Sequence, residues 1–158
     1  ALVWLNGWEV ERVDKLPLGL EYTDIVNTLS PLVADADVVG IDATGVGDAV
    51  VSFLREQHPD IIGIRFTGGM RARRDGQDWY VSKSILANGM QQALTRGVLK
   101  ITAPEPGKEQ LRREMLNFSQ LAAKHGRSKY EAGQGHDDLV AALSIAVFLK
   151  LTQQFETV

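Results

Sequence analysis

The segment Val38-Val-Gly-Ile-Asp42 is a short apolar run that ends in a carboxylate, and Gly45-Val-Gly47 follows almost at once. A run of this kind reads as a buried central strand. The glycines after it open a helix that extends to about Gln57, and Ile61 to Phe66 is a second apolar strand. Strand, turn, helix and strand in that order confine the chain to a sheet layered with helices.

The flanking segments fill in that outline. Ala1 to Leu5 is apolar, Asn6-Gly7 is a hairpin-turn signal, and Trp8 to Leu16 alternates between apolar and charged residues. Two antiparallel strands, 1–6 and 8–16, are therefore predicted. The alternation slips by one between Val10 and Val13, which marks a bulge. Ile25, Val26, Leu29, Leu32 and Val33 recur at helical spacing and predict a helix from Tyr22 to Val33. Residues 67–82 are polar and glycine-rich, as in an exposed loop or hairpin. Lys83 to Arg96 reads as a helix closed by Gly97, Val98 to Thr102 as a short strand, and Glu109 to Asn117 as a helix. Ser119 to Ala132 is expected to form a hairpin turning at Gly126. The last helix, Asp138 to Gln153, is apolar on most faces and should be buried. The fold class expected is α/β: a mixed sheet with helices on both faces, in one domain spanning 1–158.

The chain has no cysteine, which excludes disulfides and thiolate metal sites and is compatible with a reducing compartment. A metal site would have to use carboxylates, histidine or water. Its most apolar segment, 139–149, is shorter than the roughly 18 residues that span a membrane, so no membrane partner is expected. The net charge of −3 argues against a non-specific nucleic-acid coat, although not against an enzyme that touches DNA through one basic face.

Two places put carboxylates where burial should make them costly. Asp42 stands at the carboxyl end of its strand, where open α/β sheets bind ligands; equally, it could cap the next turn through Thr44 and Gly45. Asp137 and Asp138 lie at the mouth of the last helix, after His136. Capping accounts for one such carboxylate. Two adjacent carboxylates repel unless a cation lies between them, and Mg²⁺ or Mn²⁺ suits oxygen ligands of this kind. His136 is a possible accessory ligand, a group that orients water, or a cap. Arg71, Arg73 and Arg74 share one loop with Trp79 and Tyr80, while Lys124, Arg127 and Lys129 share another. Each set is either a solvated loop or a phosphate contact.

Val39-Gly-Ile-Asp-Ala-Thr-Gly-Val-Gly47, with Lys129-Tyr-Glu-Ala132 leading into Gly135-His-Asp-Asp-Leu-Val-Ala-Ala-Leu143, resembles the C-terminal nuclease domain of phage terminase large subunits. Val81 to Gly97 and the strand after it resemble that family too. The resemblance implies a ribonuclease H-like fold and a metal-dependent endonuclease that cuts concatemeric double-stranded DNA with two Mg²⁺ or Mn²⁺ ions. It implies that Asp42 and Asp138 are catalytic metal ligands, with Asp137 beside them. The family's first acid lies on the opening strand, upstream of the stretch matching Ala1 to Leu5, so that strand is expected to be truncated and the catalytic set incomplete. The family's ATPase half, with its phosphate-binding loop, is expected to be absent. Implied partners are that ATPase domain, the small terminase subunit and the portal protein, in the cytoplasm of a bacterial host carrying a phage or prophage. The alternatives are another ribonuclease H-like nuclease, of junction-resolvase or integrase type, and a catalytically incomplete DNA- or portal-binding domain. A nucleotide-binding module using Gly45 and Gly47 is a further rival.

Overall fold

The computed structural model describes residues 1–124 and 137–156, with side chains to 118 and from 137 to 153. Within them the chain is mixed α/β and forms two compact units: Ala1–Lys15 together with the described residues from Leu86 onward, and Leu16–Ile85.

In the first unit β1 (Leu2–Asn6) and β2 (Glu9–Asp14) form the expected antiparallel hairpin, with Gly7 at φ 59° in its turn. Leu5 pairs with Val10 but Trp4 pairs with Arg12, so Glu11 is the extra residue of the bulge. The bulge lets Val10 and Val13, three apart, both reach the core. β7 (Lys100–Ile101) adds to β2 in parallel. Helices α3 (Lys83–Thr95), α4 (Gly107–Lys124) and α5 (Asp138–Glu156) follow. Leu111, Leu139, Leu143 and Val147 are fully buried with Val10 in one cluster. Each such leucine contributes about 1.5–3 kcal/mol of burial. The expected burial of the last helix is observed. The expected hairpin at Ser119 is not, because α4 continues through Lys124; the rest of that segment lies outside the described residues.

In the second unit β3 (Gly40–Asp42), β4 (Ile62–Phe66) and β6 (Asp78–Val81) run parallel, and β5 (Arg73–Asp75) pairs antiparallel with β6. The order is β3-β4-β6-β5. The central, buried position expected for 38–42 is therefore not found within this sheet. β3 is its edge strand, Ile41 is half-buried, and Val38 is 39% exposed. An apolar run reports affinity for a core, and strand order decides how much of it is covered. α1 (Tyr22–Ala34) and α2 (Gly47–Arg55) pack together, with Val50, Val51, Leu54 and Ile61 buried against Ile25, Leu29 and Val39.

Candidate functional site

Asp42 ends β3 because the chain turns sharply after it. Gly45 has φ 61°. At Gly47 an added Cβ would lie 1.8 Å from the Asp42 carbonyl oxygen, so only glycine lets α2 begin there. The Thr44 N–H donates to Asp42 Oδ1 at 2.8 Å, the local turn anticipated as the plainer role of this aspartate. It engages one oxygen only. Asp42 is exposed, and among the described residues its Oδ2 accepts no hydrogen bond. The main chain beyond it is fixed on two sides: the Ala43 N–H donates to Ile64 O at 2.9 Å, and the Phe66 N–H donates to Thr44 Oγ1 at 3.1 Å.

A charged network lies beside this turn. Arg65 Nε donates to Asp78 Oδ2 at 3.0 Å, Nη1 to Ala43 O at 3.2 Å and Nη2 to Asp48 Oδ1 at 2.6 Å. Arg55 donates to Asp78 Oδ1 at 2.6 Å and to Ile61 O. Burial pushes the Asp78 carboxyl up, but hydrogen bonds from Arg55 and Arg65 outweigh it and hold the group below its usual value. The Arg65 guanidinium is raised above its usual value, first by its hydrogen bond to Asp48 and then by that to Asp78. Sequence reasoning passes over Arg65. The signal is present nonetheless: one arginine inside the apolar strand Ile61-Ile-Gly-Ile-Arg-Phe66 requires a partner.

At the other candidate position, α5 begins at Asp138, and the Asp137 carbonyl accepts the Ala141 N–H at 2.8 Å, which makes Asp137 the N-cap. An N-cap aspartate ordinarily turns its carboxylate onto the second or third N–H of its helix. Here the second, Leu139 N–H, donates to Glu114 Oε2 of α4 at 2.8 Å, and Lys15 pairs with Glu114 Oε1. The cap comes from α4. Among the described residues the Asp137 carboxylate makes no hydrogen bond or ion pair. Asp138 is exposed. Glu114 is invisible to sequence reasoning because a buried glutamate within an amphipathic helix has no signature of its own.

The carboxylates at Asp42, Asp137 and Asp138 are hard oxygen donors, exposed at Asp42 and Asp138 and half-buried at Asp137, a chemistry that suits Mg²⁺ or Mn²⁺. Among the described residues no three His, Asp or Glu side chains are grouped to hold a metal. His136 lies outside the described residues.

The basic loop at 67–82 is a hairpin. Arg73 pairs across from Tyr80 and Arg74 from Trp79, with guanidinium carbons 4.4 Å and 5.9 Å from the ring centroids. Alternation along the strand sends the two pairs to opposite faces. Arg71, Arg73 and Arg74 are exposed, and Arg73 also pairs with Asp75 at 3.1 Å. Lys124 ends α4; its side chain, Arg127 and Lys129 lie outside the described residues.

A family model described as a terminase RNase H-like domain matches residues 32–150. No curated protein and no solved structure matches the chain.

Proposed function

Because the chain belongs to the terminase RNase H-like domain family, we propose that it is a metal-dependent DNA endonuclease, the nuclease domain of a viral packaging terminase that cuts concatemeric double-stranded DNA. Asp42 and Asp138 are the metal ligands, with Asp137 as a further carboxylate. Two Mg²⁺ or Mn²⁺ ions, when bound, activate the attacking water and stabilise the leaving oxygen. The Thr44 N–H holds one Asp42 oxygen and leaves the other available to a cation. Arg71, Arg73 and Arg74 neutralise phosphates and fix the duplex without reading its sequence, and Lys124, Arg127 and Lys129 contribute in the same way. His136 orients water or assists as an accessory ligand. The terminase ATPase domain, small subunit and portal are the partners, in the cytoplasm of an infected or lysogenic bacterium.

The observation that carries this reading is that Asp42 keeps one oxygen unengaged and that the Asp137 carboxylate is not used as the helix cap. Local turn and cap bonding, which could have accounted for these aspartates, occupies one oxygen of Asp42 and is supplied at α5 by Glu114.

Metal binding tests it. Millimolar Mn²⁺ should raise the melting temperature by mass action, on the order of 2.7 kcal/mol of stabilisation at a hundredfold excess over Kd. Asp42→Asn and Asp138→Asn should each abolish the rise. In a plasmid-nicking assay with Mn²⁺, whatever cutting the chain shows should be lost in Asp138→Ala. Robust cutting that survives this substitution overturns the assignment, and preference for a four-way junction over plain duplex reassigns the enzyme to the resolvase type.

A further inference from the structure

A row of side chains crosses the second unit's sheet. Arg73 pairs with Tyr80, and Tyr80 with Arg65. Paired residues share a face, so the row runs from the hairpin arginine to Arg65, whose guanidinium reaches the carbonyl of the residue after Asp42.

We propose that Arg65 is a positioning residue for Asp42; this rests on the reading of Asp42 as a metal ligand. The guanidinium bonds three acceptors on three separate segments: Asp78 at the start of β6, Ala43 O in the turn after β3, and Asp48 in the first turn of α2. Gly47, between Ala43 and Asp48, already brings α2 against the Asp42 carbonyl. Arg65 thus fixes the turn through the Ala43 carbonyl while Gly47 fixes it against the Asp42 carbonyl, and the Asp42 carboxylate is carried on the main chain they hold. Only a planar fork can serve three acceptors in these directions; a lysine is a point charge.

Stability alone is a poor account of the arrangement. The Asp48 side chain is 52% exposed, and exposed pairs contribute little. A partly buried pair such as Arg65–Asp78 adds little net stability over an apolar replacement, although removing one partner alone is costly. What the network does supply is a fixed place for the turn, and ligand orientation of this kind typically changes metal affinity by about 10–100-fold when its support is removed.

The test is Mn²⁺ affinity, measured by electron paramagnetic resonance well below each variant's melting temperature, beside the metal-free melting temperature itself. Arg65→Lys should weaken Mn²⁺ by about 10-fold or more. Asp48→Asn keeps an oxygen for Arg65 and should bind within about threefold of the parent, the scale of one exposed charge pair. Asp48→Ala removes the acceptor and should fall clearly below Asp48→Asn. That contrast stands even if Arg65→Lys does not fold. Parent-like Mn²⁺ affinity in folded Arg65→Lys overturns the proposal. So does equal behaviour of Asp48→Ala and Asp48→Asn: parent-like in both, it shows the anchor is idle, and lost in both, it makes Asp48 a ligand. Failure of the underlying reading looks different, because Asp42→Asn itself would then leave Mn²⁺ affinity unchanged.

Discussion

At position 47 a single methyl group would meet the Asp42 carbonyl oxygen. Relief requires moving the start of α2 or the end of β3, so Gly47→Ala should cost about 1–3 kcal/mol, as overpacking does, and should weaken Mn²⁺ binding with it. Gly45 differs: its φ of 61° is a backbone demand, and nothing lies within 4 Å of an added Cβ. Gly45→Ala should therefore cost about 1–2 kcal/mol, the strain of the left-handed region alone. Urea denaturation separates the two. Asp78 makes a pH prediction. Its folded-state carboxyl sits below its usual value, so its stabilisation is fully present above the unfolded pKa and is lost as pH falls through the folded one. Asp78→Asn should be markedly less stable than the parent at pH 7, and the gap should narrow below about pH 4, where carboxylates begin to protonate. A gap that stays constant to pH 2 would assign Asp78's contribution to packing. At this scale Asp42 was legible, because a carboxylate closing an apolar run is conspicuous. Arg65 and Asp78 were not, since they are 13 residues apart in sequence and meet only when their strands pair.

Helix α5 has its cap built on another helix. Glu114→Ala leaves Leu139 N–H without its acceptor and Lys15 without its partner, at a cost of about 1–3 kcal/mol for the unsatisfied groups. Glu114→Gln paired with Lys15→Met keeps an oxygen for Leu139 and removes the unpaired charge, and should recover most of that loss; thermal denaturation of the three proteins checks it. The elements themselves were largely legible. The slip between Val10 and Val13 announced the bulge, and the even apolarity of 139–149 announced a buried helix. The end of α4 was misread. Ser119 and Gly126 suggested a turn, but Leu121-Ala-Ala-Lys124 are strong helix formers, and the helix carries on through them. The place of β3 at the edge of the second unit's sheet was hidden for another reason: local sequence encodes how apolar a strand is, whereas its order in a sheet is set by pairing with distant segments.

Over the whole molecule the net charge is −3, so its overall field repels DNA and attraction must come from local clusters. Replacing Arg71, Arg73 and Arg74 together with alanine should weaken duplex binding. It should also lower the slope of log affinity against log salt by up to about 0.9 for each phosphate that is no longer neutralised. Fluorescence anisotropy with labelled duplex over a KCl series measures both. An unchanged slope would place the DNA-binding surface elsewhere. No described helix is long and apolar enough to cross a membrane. The bulge at Glu11 also bears on how chains of this kind can change length over descent. Losing one residue between Val10 and Val13 would leave the valines two apart, still on one face of the pleat. Losing Ile64 would instead set Gly63 and Arg65 side by side and turn the arginine to the opposite face. Length is negotiable in the first hairpin and fixed in the strand that carries Arg65.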